Sequence, residues 1–177
     1  RILLSPVLAV FSLAIYLESG TPILFRQQRI GLFGQPFQML KFRTMKQDAE
    51  ENGPAWAVEG DSRITRVGKI LRRFRCDEIP QFLNVLRGEM SVVGPRPERP
   101  EFARTLERNI PYYAERHSVR PGITGWAQIK YKYGSSIEDA KTKLEYDLFY
   151  IKHVSPLFDV MIILRTAQVM ILGRGAI

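Results

Sequence analysis

Arg72-Arg73-Phe74-Arg75-Cys76-Asp77-Glu78-Ile79-Pro80-Gln81 sets two adjacent carboxylates between a run of cations and a proline. Proline suits the first turn of a helix, where its missing N–H would have no partner anyway. Pro80 to Leu86 is therefore expected to be helical, with Asp77 and Glu78 just before its start. Backbone amides at a helix start favour negative charge, and the preceding cations also keep a carboxylate ionised. An ionised carboxylate can attack phosphorus and form an acyl phosphate. The same pair can hold Mg²⁺, which takes hard oxygen ligands alongside phosphates. Taken alone, these residues also fit ordinary helix capping by Asp77, with Glu78 in solvent.

Working upstream, Ile64 to Arg75 reads as a strongly basic helix and Gln47 to Asp61, with Gly53-Pro54, as a polar surface loop. Ile23 to Lys41 mixes short apolar stretches with Gly31, Gly34 and Pro36, the pattern of a strand or hairpin. Glu18-Ser-Gly-Thr-Pro22 is a turn. Ile2 to Leu17 is apolar except for Ser5, Pro6, Ser12 and Tyr16. As a straight helix it would cover roughly 24 Å, less than a hydrocarbon core of roughly 30 Å. A proline kink at Ser5-Pro6 would let such a helix enter a bilayer and return to the same face. The chain begins at Arg1, inside this apolar pattern, so it reads as a fragment whose upstream part is missing.

Working downstream, Gly94-Pro95-Arg96-Pro97 breaks the chain and Pro100 to Arg108 is expected to be helical. Pro121 to Gly125 reads as an irregular loop. Ile137 to Lys152 has the period of a polar amphipathic helix. Pro156 to Leu172 is a second apolar segment, but Asp159, Arg165 and Gln168 make it interfacial or core-facing.

The chain's 177 residues suffice for one domain with a real core. A net charge of +8 favours anionic partners: nucleic acid, an anionic membrane or phosphorylated substrates. Cys76 is the only cysteine, which excludes a disulfide framework and a cysteine-based zinc site. His117 and His153, the only histidines, argue against a histidine-rich metal site or a Ser-His-Asp triad. Lys41, Arg43, Arg63, Arg66 and Arg96 flank loops or turns, and an arginine fork matches phosphate oxygens. Pro95 and Pro97 would stiffen the backbone that presents Arg96. Asp147 and Tyr150, three apart on an expected helix, share a face.

Lys41-Phe-Arg-Thr-Met45, Asp77-Glu-Ile-Pro-Gln81, Asn84-Val-Leu-Arg-Gly-Glu-Met-Ser91, Val93-Gly-Pro-Arg-Pro97, Arg120-Pro-Gly-Ile-Thr-Gly-Trp-Ala-Gln128 and Tyr146-Asp-Leu-Phe-Tyr150 follow one another in this order. Together they resemble the bacterial sugar transferase family, the monotopic phosphoglycosyl transferases. The resemblance implies a helix-dominated α/β domain with an N-terminal re-entrant membrane helix, broken at Ser5-Pro6, and interfacial amphipathic helices. Residues 1–22 would form that helix and a turn, and residues 23–177 a catalytic domain on the cytoplasmic face of the bacterial inner membrane. Asp77 would be the nucleophile that takes a hexose 1-phosphate from a UDP-sugar, releasing UMP, before transfer to polyprenyl (undecaprenyl) phosphate. Glu78 would act as a base toward the lipid phosphate or help Asp77 hold Mg²⁺. Lys41, Arg43, Arg72 and Arg96 would cradle phosphates, and Asp147 would be a supporting acid that orders an arginine. Exopolysaccharide, capsule or O-antigen synthesis is the implied setting. Cys76, where members commonly carry an aliphatic residue, and Glu89, where many carry aspartate, depart from the pattern without touching this chemistry.

The expected partners are a UDP-sugar, a polyprenyl phosphate lipid and the membrane, with no nucleic acid and with room for a homodimer. The competing readings are a basic nucleic-acid-binding module using Trp56, Trp126 and Tyr131, and an inactive scaffold of an export complex. Against the first, the cations stand beside carboxylates and no nucleic-acid motif is present.

Overall fold

The computed structural model describes residues 5–49, 51, 53, 60–131 and 136–171. Helix α1, Ser5–Ser19, ends at Gly20, whose positive φ of 72° turns the chain away. The first part of the expected apolar helix, and the stretch around Trp56, lie outside the described residues. Strands β1, Leu24–Ile30, and β2, Pro36–Phe42, form the expected hairpin, antiparallel from Leu24↔Phe42 to Ile30↔Pro36. Phe37, Met39 and Phe42 of β2 are buried.

Helix α2, Arg66–Arg73, opens on Thr65, whose hydroxyl accepts from the Gly68 amide. Gly68 lies so close to Thr44 that a Cβ would stand 2.1 Å from the Thr44 carbonyl oxygen, so α2 rests directly on the backbone after β2. A 3₁₀ turn at Cys76–Glu78 follows, then α3, Gln81–Leu86. Asn84 of α3 is fully buried. Its side chain accepts from the Leu40 amide (3.1 Å) and donates to the Gln38 carbonyl (2.8 Å) and to Glu89 Oε2 (2.7 Å). This locks α3 to the free edge of β2 and gives Glu89 a structural task.

Pro121 to Gly125 is not the irregular loop its composition suggests. Gly122–Thr124 is a short strand, β4, that pairs in parallel with β3, Ser91–Val93. The glycines that disguise it exist for contact: a Cβ on Gly122 would lie 2.1 Å from the Gly94 nitrogen, and one on Gly125 2.1 Å from the Gly94 oxygen. Gly122→Ala is therefore expected to cost about 3 kcal/mol, the upper end for forcing atoms into a packed interior. Chemical denaturation checks it, and an unchanged midpoint would mean that the strands can part freely.

Helices α4, Pro100–Asn109, α5, Trp126–Lys130, α6, Ile137–Lys152, and α7, Pro156–Ile171, complete the described elements, with a 3₁₀ turn at Tyr113–Ser118. Ser136 and Asp139 form a reciprocal capping box that fixes the start of α6. The core is divided. Ala103, Leu106, Ile110, Tyr113 and Leu144 join α4 to α6, while Val93, Tyr150 and Ile162 join β3, α6 and α7. Ile15, Phe42 and Leu71 seat α1 on β2 and α2. The described residues form a mixed α/β, helix-dominated fold with two small sheets. Among the described residues no helix is long and apolar enough to cross a membrane. Leu13 and Leu17 on α1, Leu83 and Leu86 on α3, and Leu157 and Leu164 on α7 are exposed.

Candidate active site

Arg75 adopts the left-handed conformation (φ 53°, ψ 23°), which a non-glycine residue holds at a cost of about 1–3 kcal/mol. The chain reverses there into the turn that carries Asp77 and Glu78, both buried. Glu78 is therefore not in solvent, and the N-cap of α3 is Pro80, with no side-chain cap from Asp77.

Three cations converge on Glu78. Arg96 Nη2 donates to Oε1 at 2.8 Å, Lys41 Nζ stands 3.4 Å from the same oxygen, and Arg75 Nη1 stands 3.7 Å from Oε2. Burial alone would raise the Glu78 pKa, but Arg96, Lys41 and Arg75 together outweigh it and hold the group far below the usual carboxylate range. Asp77 differs. Burial pushes its carboxyl up and the adjacent Glu78 charge pushes the same way, against Lys41, Arg72 and Arg96. Burial and Arg96 lower the Lys41 pKa, against both carboxylates. Among the described residues no side chain hydrogen-bonds the Asp77 carboxylate. Glu78 takes the direct ion pairs, while the same cations reach Asp77 only through its surroundings. Lys41, Arg72, Arg75 and Arg96 outnumber the two carboxylates two to one, so the site favours an anionic ligand.

Arg96 is presented by a loop whose carbonyls are engaged from Pro95 to Glu98. The Gly122 amide donates to Pro95 O (2.9 Å), Arg116 Nη2 to Arg96 O (2.9 Å), Arg29 Nη1 to Pro97 O (3.1 Å) and the Ile30 amide to Glu98 O (2.9 Å). The Arg96 head forks, with Nη1 on Gln128 Oε1 at 3.1 Å and Nη2 on Glu78. Arg96→Lys is expected to lower kcat/KM about 10- to 100-fold, because an ammonium cannot span both acceptors and loses a charged hydrogen bond worth roughly 1.5–3 kcal/mol. Steady-state kinetics check this, and wild-type values would make Arg96 mere surface charge.

Asp147 lies behind this loop. Its Oδ2 accepts from Arg116 Nε (3.1 Å) and Nη2 (2.7 Å), and Arg116 Nη1 donates to the Tyr113 hydroxyl (2.7 Å). The arginine that Asp147 orders is thus Arg116, which sits in none of the motifs and gives no sequence signal apart from its partner. Gln128 and Arg29 also went unassigned in the sequence; Gln128 alone ends a quoted motif. Tyr150 shares the buried face of α6 but serves another partner, Asp159 Oδ1 at 2.8 Å.

The structure brings Lys41, Arg72, Asp77, Glu78 and Arg96 together. It does not bring Arg43 with them. The Arg43 guanidinium is buried and donates through Nη2 to the Ser19 and Gly20 carbonyls, each at 2.7 Å, because the last carbonyls of α1 are unpaired acceptors within its reach. Arg63 likewise closes on Asp61 at 2.6 Å. A cavity of about 410 Å³ between the hairpin and α4, lined by Gln28, Ile30, Ala103 and Arg104, contains none of the predicted site residues.

The donor set suits Mg²⁺ only with help from a ligand. No group of three or more His, Cys, Asp or Glu forms a cage among the described residues. A free, buried carboxylate beside a cationic surface nonetheless fits an ion that binds through one or two carboxylates and completes its shell with substrate phosphates.

The sequence profile described as Bacterial sugar transferase matches residues 1–173. The UDP-N-acetylgalactosamine-undecaprenyl-phosphate N-acetylgalactosaminephosphotransferase of Aeromonas hydrophila is 45% identical over 98% of this chain and 41% of its own length. The UDP-glucose:undecaprenyl-phosphate glucose-1-phosphate transferase of Escherichia coli K12 is 44% identical over 93% of this chain and 36% of its own length. A protein of the same description from Caulobacter vibrioides is 48% identical over 93% of this chain and 62% of its own length. The chain thus spans between about a third and three fifths of these relatives.

Proposed function

The chain belongs to the bacterial sugar transferase family, and from that premise we propose that it transfers a sugar 1-phosphate from a UDP-sugar to polyprenyl phosphate. A buried, unpaired Asp77 beside a Glu78 that gathers the cations is the observation that carries this reading. In the first step an Asp77 oxygen attacks the sugar-bearing phosphorus. The bond to the bridging oxygen breaks, UMP leaves, and an aspartyl-phosphosugar remains. In the second step a phosphate oxygen of the lipid attacks the same phosphorus, the acyl–phosphate bond breaks, and Asp77 is regenerated. Lys41, Arg72 and Arg96 offset charge on the phosphates. The three cations on Glu78 favour a holding role, as their counter-ion, over that of a base. Asp77 and Glu78 would hold Mg²⁺, which supplies charge neutralisation on the diphosphate when bound.

Mg²⁺-dependent release of UMP from a panel of UDP-sugars, with polyprenyl phosphate present, tests this and identifies the sugar. DNA binding without UMP release would favour the basic nucleic-acid module instead. The parent pathway is the assembly of a surface glycan such as exopolysaccharide, capsule or O-antigen.

The exposed leucines of α1, α3 and α7 support a seat on a membrane. The proposed seat is the cytoplasmic face of the inner membrane, with α1 as the second half of a re-entrant helix and residues 23–177 as the catalytic domain. Cysteines introduced just before the whole re-entrant helix and just after it, near Gly20, are expected to be shielded alike from a membrane-impermeant thiol reagent in intact cells. Pro6→Leu should shift some molecules to a spanning topology and lower activity. Outside labelling of the upstream site in otherwise wild-type protein would contradict the re-entrant reading.

A further inference from the structure

The C-terminal end of α1 is joined to the rest of the fold at two polar points. Glu18 places Oε1 on the Arg66 amide (2.7 Å) and Oε2 on the Val67 amide (2.9 Å), bridging the start of α2, where amides favour a carboxylate. Arg43 Nη2 donates to Ser19 O (2.7 Å), Ser19 Oγ (2.9 Å) and Gly20 O (2.7 Å), where a helix end favours a cation. Between them Ile15, Phe42 and Leu71 form a buried cluster, with Phe11, Val67 and Cys76 packed against it. Each joint lies one element from the candidate active site. Glu18 holds α2, which carries Arg72 and leads into Cys76-Asp77. Arg43 holds the end of β2, two residues beyond Lys41.

We propose that Glu18 and Arg43 are positioning residues, through which the seat of α1 fixes the spacing of Asp77 from Lys41 and Arg72. A displacement of about 1 Å at a reacting group can cost a hundredfold in rate, so a small loosening of α1 reaches the chemistry. The activity readout of this proposal rests on the transferase reading; a second readout does not. Cys76, the sequence's only cysteine, packs half-buried against the cluster that seats α1, and faster reaction of its thiol reports that this seat has opened further.

The test uses the full-length enzyme carrying Arg43→Gln, Arg43→Lys or Glu18→Gln. UMP release gives kcat and donor KM, and maleimide labelling of native protein, read at the Cys76 peptide by mass spectrometry, follows the joint. Arg43→Gln is expected to lower kcat about tenfold or more, leave donor KM within about twofold, and label Cys76 severalfold faster. Arg43→Lys should restore most of both, because an ammonium still serves the α1 carbonyls. A raised donor KM with kcat intact would overturn the proposal and make Arg43 a phosphate ligand. If Arg43→Gln does not fold, Glu18→Gln, at an exposed position, decides: lower kcat with faster labelling supports the joint, and wild-type values of both overturn it. Should wild-type enzyme release no UMP from any donor, the transferase reading fails, and unchanged Cys76 labelling in the variants would separately overturn the joint.

Discussion

Asp77→Asn is expected to abolish turnover, with a loss of roughly 10⁴-fold or more, the scale on which covalent catalysts fail when the nucleophile is removed. The amide is close in shape to the carboxylate, and no side chain among the described residues hydrogen-bonds the Asp77 carboxylate, so the fold should survive. An amide oxygen does not displace UMP from phosphorus, and the sugar phosphate therefore has nowhere to go. The raised Asp77 pKa adds a second expectation. In wild-type enzyme the acid limb of the rate–pH profile should lie above the ordinary aspartate value of 3.8, because protonation removes the nucleophile and burial, with the Glu78 charge, brings protonation on earlier. Normal turnover by the Asn variant, with folding confirmed by thermal unfolding, would remove Asp77 from the chemistry.

Asp147→Asn is expected to be costly in a different way. Asp147 is buried and its single engaged oxygen takes two donors from Arg116. Breaking such a pair leaves a buried charge uncompensated, at a cost of about 3–5 kcal/mol. Arg116 also holds the Arg96 carbonyl, so the variant should lose activity through Arg96 as well as stability. Replacing both partners with apolar residues, Asp147→Leu with Arg116→Met, separates the two effects. Stability should largely return, because apolar substitutes for a buried pair are often neutral. Activity should stay low, since nothing then clamps the Arg96 carbonyl. Denaturation midpoints and kcat/KM measured on the same proteins check this. Recovery of both together would show that the pair matters only for folding.

The sequence and the structure agree where periodicity is long. Helix α6 runs from Ile137 to Lys152 as its pattern predicts, because sixteen residues of helical spacing behind a capping box leave little ambiguity. The β1–β2 hairpin was legible instead through Gly31, Gly34 and Pro36 between short apolar stretches, and α4 and the basic α2 as shorter helical stretches. Gly122–Thr124 was not, because three residues carry no period and the flanking glycines imitate a loop. Only the backbone contact with Gly94 explains them. The two carboxylates, Lys41, Arg72 and Arg96 were legible as candidates through their motifs. Arg43 shows why motif membership does not settle geometry. It stands two residues from Lys41 along the same chain, yet β2 ends at Phe42, and the unpaired carbonyls of α1 lie within its reach. Arg116 was illegible because a buried arginine looks like any other in sequence. What distinguishes it is Asp147, 31 residues away.

The central claim is that Asp77 itself carries the sugar phosphate, and peptide-level mass spectrometry tests it most directly. Enzyme should be mixed with its UDP-sugar and Mg²⁺ in the absence of polyprenyl phosphate, quenched, and digested. The account predicts a mass increase equal to one phosphosugar, located on the peptide that contains Asp77, absent from Asp77→Asn and discharged when polyprenyl phosphate is added. UMP formation that requires the lipid from the outset, with no adduct on Asp77 at any time, would contradict it and point to direct transfer between the two substrates.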